Sequence, residues 1–306
     1  MHLKPLLIKL YQPIAILRLK VVVFFHAIFY SIKSFRLTTK GQRPKYEILQ
    51  LAHRLEKGLL NTDPKPMWGW EKAYRIAYLI VQNNDEFSNK TGRAVLKAYI
   101  LAKKKSVLKE ERYKAHLFEQ EFPEINREET SLGGVITLSQ KEVSIEQKEV
   151  IEHFLNTRHS CRNFRNEIVS KNDIENAISL ALRCPSACNR QMTNCYVYQS
   201  KEFQAIILTC SIQAYEVEEF NDWFISPAIF AGYLSLTLHL YGIGSCIYRK
   251  QLYGHHPYNE EMRNKCQIPD DEMIILELRF GYYKETFDVA VSNRHSAKDI
   301  ISFITE

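Results

Sequence analysis

The chain has 306 residues, 45% of them hydrophobic and 25% charged, with a formal net charge of +6. That length can bury one large core or two modest ones, and no window reaches the ~18 unbroken apolar residues of a membrane span. The charge is uneven: residues 1–46 hold nine Lys or Arg and no Asp or Glu, so of the total of +6 the other 260 residues contribute −3.

Residues 1–45 combine this charge with apolar runs, the longest being the twelve uncharged residues Val21 to Ile32. Charge concentrated in a tail speaks of the tail's partner more than of the fold. Two readings stand side by side. One is a basic apolar helix lying on an anionic membrane surface. The other packs Leu10, Ile14, Leu17, Val21, Phe25 and Ile28 on the protein's own core or on a dimer partner. No small-residue cleavage site follows, which counts against a secretory signal.

Residues 46–132 read as a helical extension. Ile48, Leu49, Ala52 and Leu55 mark one apolar face, a Gly-Asn-Pro-rich break spans Gly58 to Pro66, and further helices are expected at about Trp70–Asn83 and Lys90–Lys105. Asn83 to Lys90 has the composition of a loop, and Lys103 to Glu129 reads as a solvated helix plus linker. His53-Arg54-Leu55-Glu56-Lys57-Gly58 is a dense charged cluster. It is either a contact for a substrate or partner, or an ion-paired helix end capped by Gly58. Gly133-Gly134 is the best domain boundary, so the chain divides into 1–45, 46–132 and 133–306.

From Ser144 a helix carrying Val150, Ile151, Phe154 and Leu155 leads to Arg158-His159-Ser160-Cys161-Arg162-Asn163-Phe164. Ser170 and Asp173 read as a capping box for a helix with Ile174, Ala177, Ile178, Ala181 and Leu182 at helical spacing. Pro185 follows, and a run of small polar residues, Ser186-Ala187-Cys188-Asn189-Arg190-Gln191, crosses to a strand at Asn194–Gln199. Hydroxyl and carboxamide groups so close together suit the edge of a heterocycle that presents both donors and acceptors. A helix is expected around Lys201–Ser211, then an acidic aromatic loop from Glu216 to Trp223. Ser226-Pro227 opens a helix to Tyr241 that is almost wholly apolar and therefore needs burial on every side. Gly242-Ile243-Gly244-Ser245-Cys246-Ile247 follows it, and Met273 to Phe280 reads as a buried central strand.

The seven cysteines all lie in the C-terminal half. An odd count without a small-domain framework argues for reduced thiols and a cytoplasmic location. Cys184 and Cys188 lack partners at zinc-site spacing and read as packing residues beside the polar loop.

The order and spacing of four motifs over about residues 145–306 resemble the nitroreductase family of flavin enzymes. They are Arg158-x-Ser160-x-Arg162, Pro185-Ser186-x-x-Asn189-x-Gln191, the glycine-rich turn at 242–244, and a late basic residue, Arg294. The resemblance implies an α+β fold, with a central mixed or antiparallel sheet flanked by helices, preceded by an α-helical N-terminal region. It further implies FMN as cofactor, NAD(P)H as reductant, a small-molecule acceptor that the resemblance leaves unspecified, and a homodimer with flavin sites between the subunits. Nucleic acid is not an expected partner. Carried over residue by residue, Arg158 and Arg294 match phosphate-binding positions, with His159 and Ser160 in the same motif. Arg162 matches the basic residue facing the ring edge where negative charge collects on reduction. Ser186, Asn189 and Gln191 match the loop that hydrogen-bonds the ring and ribityl chain, and Ile247, Tyr248 and Arg249 match the segment crossing near N5. Two departures stand out: Met192 and Thr193 replace a Pro and an aromatic, and Ser292 replaces a second late cation. The chemistry belongs to the cofactor, so no protein nucleophile is required. Two rivals remain open: flavin fragmentation or dehalogenation on the same scaffold, and a membrane-surface or assembly protein without turnover.

Overall fold

The computed structural model describes residues 21, 44–61, 64–127, 132–139, 142–215, 219, 221–249 and 257–304. The basic segment 1–45 lies outside the described residues except for Val21, Pro44 and Lys45, as does most of the acidic stretch at 216–220.

Among the described residues, four helices build the N-terminal half: α1 (Pro44–Leu59), α2 (Trp70–Gln82), α3 (Glu86–Lys104) and α4 (Lys109–Glu121), closed by a 3-10 turn at Pro123–Arg127. Ile48, Ala52 and Leu55 of α1 meet Ile76, Leu96, Tyr99 and Phe118 in one core. Two expectations fail here. Helix α3 starts well before Lys90, because the Asp85 carboxylate accepts from the Ser88 amide and caps it. The helix expected in the charged stretch after Lys103 forms, but it is not simply solvated, since Ala115 and Phe118 turn inward from α4 and Ile125 follows them.

An ion pair goes inward with them. Lys103 Nζ stands 2.5 Å from Glu111 Oε1, with side-chain exposures of 5% and 6%. The Met67 amide donates to the same carboxylate at 2.9 Å, and the Lys103 ammonium lies 4.7 Å over the Trp68 ring. Burial pushes the Glu111 carboxyl up, but hydrogen bonds from Lys103 and Ser106 outweigh it and hold it below its ordinary value of 4.5. Within the charged cluster of α1, His53 Nδ1 lies 3.7 Å from Glu56 Oε2, and Glu56 Oε1 accepts from the Gly134 amide at 3.1 Å. The cluster thus ties the chain back onto the helical unit as it leaves.

The C-terminal half is α+β. Helices α5 (Ile145–Thr157) and α6 (Lys171–Ala181) precede strands β1 (Thr193–Gln199) and β2 (Gln204–Ser211). Helix α7 (Asp222–Leu240), strand β3 (Ile243–Tyr248), helix α8 (Pro257–Lys265) and strand β4 (Glu272–Tyr282) complete it. The sheet order is β1-β2-β4-β3 with every strand pair antiparallel. Strand β2 stands where a helix was expected. Its run of eight residues is buried throughout, which a central strand and a core helix share. Ser200 decides between them: its amide bonds the Phe203 carbonyl at 3.1 Å and turns the chain into a hairpin. Ile206, Leu208 and Cys210 then face α6 and α7 with Phe230 and Leu234, while Ala205 and Ile207 face Met262 of α8.

Helix α7 begins one turn before Ser226-Pro227, and Pro227 forgoes one backbone bond inside it. Its length and composition would suit a membrane span, yet Pro227, Phe230, Leu234 and Leu238 are buried on the chain's own sheet. The opposite face carries Ile225, Ile229, Tyr233 and Leu240, all exposed in the single chain. Helix α5 has no buried residue at all. The capping box at α6 is half formed: Ser170 Oγ accepts from Asp173 N, whereas the Asp173 carboxylate accepts from the Tyr282 hydroxyl at 2.9 Å.

Replacing Lys103 by Met leaves the Glu111 carboxylate buried without its cation, with an expected loss of about 3–5 kcal/mol in denaturant unfolding. The double change Lys103→Met with Glu111→Leu should recover most of it. Because the folded-state pKa of Glu111 is depressed, its contribution is complete above the unfolded value of 4.5 and disappears as pH falls through the folded one. Stability measured down this acid range should therefore fall less in the double variant than in the native chain.

Candidate functional site

The site begins where α5 ends. Arg158 caps the helix in an extended conformation, and the following residues run along the β3 edge of the sheet. Ser160 forms a parallel bridge to Ser245, and the Cys161 amide donates to the Ser245 carbonyl at 3.0 Å. Phe164 bridges Tyr283, and the Arg165 amide reaches the Tyr282 carbonyl at 3.0 Å. Extended backbone alternates its side chains. Cys161 therefore turns onto the sheet, while Arg158, Ser160 and Arg162 turn to the other side.

That side is a cleft of about 580 Å³ between this segment, β3 and the exposed face of α7. Arg158, Ser160 and Arg162 line it together with Ser245, Cys246 and Ile247 of β3 and with Ile229, Gly232, Tyr233 and Leu236 of α7. Among the described residues, neither Arg158 nor Arg162 pairs with a carboxylate. Two guanidinium groups without counter-charges beside two hydroxyls form a donor set that suits a phosphate-like anion.

The close approach depends on two glycines opposite each other in the β3–β4 register, Gly244 and Gly281. A Cβ on Gly244 would stand 2.9 Å from Cys161 Cβ, and one on Gly281 would stand 2.6 Å from Phe164 Cβ. From the other side, His239 at the end of α7 holds the end of α5. Its Nε2 lies 3.1 Å from Thr157 Oγ1, its Nδ1 3.0 Å from the Tyr283 hydroxyl, and its ring 4.9 Å from that of Phe154. Burial lowers the His239 pKa, and the nearby Arg158 lowers it further. The neutral ring has one donor and one acceptor nitrogen, which two hydroxyls can satisfy. Burial likewise pushes Tyr283 up to about 12.

The polar loop takes a different place. Cys188, Asn189 and Gln191 all adopt left-handed φ angles of 48–52°, an uncommon concentration for residues with side chains. The loop docks on the first turns of α7 through Ala187 N to Ser226 Oγ at 3.3 Å. Ser186 Oγ accepts from the Gln191 amide, and the Gln191 carboxamide donates to Asn189 Oδ1. Asn189 and Gln191 are exposed and, like Ser186, do not line the cleft. Cys184 packs against the sheet core, where burial raises its thiol pKa.

Of the sequence-derived site residues, the cleft therefore gathers Arg158, Ser160, Arg162 and Ile247, with half-buried His159 between the first two. Tyr248 sits 5.0 Å from the Arg279 guanidinium, and Arg249 lies 5.7 Å over the Phe224 ring. Arg294 is exposed and bonds the carbonyl of Ser292 in its own loop rather than facing the cleft. Met192 is buried and accepts a hydrogen bond from Tyr215. It serves as core packing at the position where the sequence resemblance implies a proline. Sequence reasoning missed the contribution of α7 to the cleft, although Ile225, Ile229, Tyr233, Leu236 and Leu240 recur at helical spacing.

The family model described as "Nitroreductase family" matches residues 155–222, which include both the Arg158–Arg162 motif and the polar loop. Among solved structures, the chain is similar to a nitroreductase-like protein from Bacillus cereus (14% identity, 56% of this chain and 100% of that one, TM-score 0.43). It is also similar to an FMN-dependent nitroreductase from Clostridium difficile R20291 (20%, 50% and 98%, TM-score 0.40) and to a nitroreductase with bound FMN from Desulfitobacterium hafniense DCB-2 (16%, 50% and 97%, TM-score 0.40). A comparison with curated proteins finds no match.

The lowered pKa of His239 means that the unfolded chain takes up a proton there more readily than the folded one. Its contribution is complete above the unfolded value of 6.5 and is lost as pH falls below it. Thermal unfolding followed from pH 7.5 downward should show this loss, and His239→Gln, which keeps a donor and an acceptor, should flatten it.

Proposed function

We propose, from the nitroreductase-family segment at residues 155–222, that this chain is an FMN-dependent oxidoreductase that takes electrons from NAD(P)H and passes them to a small-molecule acceptor. The observation that carries the reading is the pair of guanidinium groups without counter-charges among the described residues, Arg158 and Arg162, set with Ser160 and Ser245 in a cleft about 580 Å³ in volume. That size lies within the ~300–1,000 Å³ of small-molecule sites. The cleft is polar at the arginine end and apolar along Ile229, Tyr233 and Leu236, which matches a cofactor with a phosphate at one end and a flat heterocycle at the other.

FMN, when bound, supplies two-electron transfer between the nicotinamide and the acceptor. The chain's own groups would bind and orient it. Arg158 and Ser160 offer charge-assisted and hydroxyl donors to an anion. Arg162 adds a fixed positive charge that stabilises any negative charge developing in the cleft. The apolar side of α7 excludes water from the ring.

The reading includes a homodimer. Ser186, Asn189 and Gln191 do not line the cleft of their own chain, so they would serve a cleft in a second copy. Three exposed apolar surfaces support this: the α7 stripe, Val150 and Ile151 of α5, and the C-terminal tail, where Phe303 and Ile304 are 91% and 92% exposed.

An absorption spectrum of the purified protein, followed by FMN titration of the apoprotein, tests the cofactor. Arg158→Ala and Arg162→Ala should each weaken FMN binding by about 1.5–3 kcal/mol, the range for hydrogen bonds to charged groups. Unchanged affinity in both would remove the cleft as the phosphate site. Tyr233→Asp places a charge in the proposed subunit interface and should shift sedimentation from dimer to monomer. A native chain that sediments as a monomer while holding FMN would overturn the dimer.

A further inference from the structure

We infer that Arg190 is a positioning residue through which helix α1 holds the polar loop in its working shape. The consequence for cofactor affinity rests on the FMN reading above; the mechanical part does not. Arg190 lies between Asn189 and Gln191, both exposed, yet it is 1% exposed itself. Its Nη2 reaches the Glu219 carboxylate at 3.0 and 3.1 Å, and its Cζ lies 4.8 Å over the Tyr215 ring. The third partner comes from the N-terminal extension. With the Gln50 amide turned so that its oxygen faces the surrounding donors, that oxygen accepts from Arg190 Nη2 at 2.5 Å and from Arg54 Nη2 at 3.1 Å.

The balance of bonds makes Gln50 more than an addition. Among the described residues, Nε and Nη1 of Arg190 are buried with no partner, so the hydrogen bonds that hold this cation there all pass through one nitrogen. A buried charge with so few partners is expensive to keep, and losing an acceptor leaves the full desolvation penalty in place. Helix α1 also packs directly on the Ala187–Asn189 turn, and its Tyr46 enters the sheet core. The loop beside this contact carries three left-handed residues. Such conformations persist only where the surroundings over-determine them. Helix α1 supplies that restraint from outside the flavin half, and Arg190 transmits it to Asn189 and Gln191 on either side.

If Arg190 were only a buried cation joining two units, weakening it would lower global stability and leave loop dynamics and ligand affinity unmoved in the folded protein. The full chain carrying Gln50→Leu separates the two accounts, with Gln50→Glu as the rescue because it keeps an acceptor toward both arginines. In the apoprotein, hydrogen exchange at residues 186–191 should speed up about tenfold or more in Gln50→Leu, the effect of losing one hydrogen bond to a charged group. Exchange in β2 and β4 should not change, and Gln50→Glu should restore protection of the loop. The FMN dissociation constant should rise by a similar factor in Gln50→Leu and return in Gln50→Glu. Unchanged loop exchange overturns the inference, as does a loosened loop with unchanged FMN affinity. If Gln50→Leu fails to fold, Gln50→Asn, one methylene short of the guanidinium, carries the same comparison in milder form. A native chain that takes up no FMN sinks the flavin reading and the affinity half with it, while the exchange result still decides whether Gln50 holds the loop.

Discussion

The cleft depends on a place where two strands offer bare backbone. Gly244 and Gly281 face each other across the β3–β4 register, and the Cys161 and Phe164 side chains come down on them. Without that clearance the segment from Ser160 to Phe164 could not lie along the sheet, and the alternation that sends Arg158, Ser160 and Arg162 to one side would have no fixed base. Protein interiors are packed too tightly to absorb a methyl group at such a spot without displacing backbone. A cofactor-sized space with a charged end thus follows from the absence of two side chains.

Charge is handled in two distinct ways. Where a cation is structural, the fold gives it a carboxylate: Glu111 for Lys103, Glu219 for Arg190, and the fully buried Glu277 for Arg279 at 2.7 Å. Removing either member of such a pair strands the other in a medium that solvates it poorly. In the cleft the rule is reversed, with Arg158 and Arg162 brought together and given no anion among the described residues. The contrast within one chain separates the site from the scaffold more sharply than the cleft's shape does.

Much of this was legible beforehand, for identifiable reasons. Helices α1 and α2 announce themselves by apolar spacing, and β4 by an apolar run with little alternation. The Arg158–Arg162 motif and the polar loop were visible as motifs, but that the loop docks at Ser226 without lining the cleft was not, because local sequence carries no information about tertiary placement. Strand β2 was misread since Ala205–Leu208 has no polar alternation to distinguish strand from helix. Helix α4 was expected but its burial was missed, because its charges outnumber Ala115 and Phe118, although two inward residues suffice to bury a face. Arg190 was read as one more polar loop residue, and nothing adjacent to it signals that Gln50, far away in the chain, completes its bonding.

Helix α1 belongs to both halves, with Ile48 and Leu55 in the helical core and Tyr46 in that of the sheet. Chain order turns this into a matter of timing during synthesis. The N-terminal unit is built from helices that are neighbours in sequence, the kind of contact that forms fastest. Strand β2, by contrast, must wait for β4, the last strand made, before both of its edges are paired. A fully buried strand with an open edge invites wrong partners on the ribosome. Because Tyr46 and the face that meets the Ala187–Asn189 turn belong to a unit that can already be folded, that turn meets a native surface before the sheet is complete, and the extension can work as a template made in advance of the part it serves.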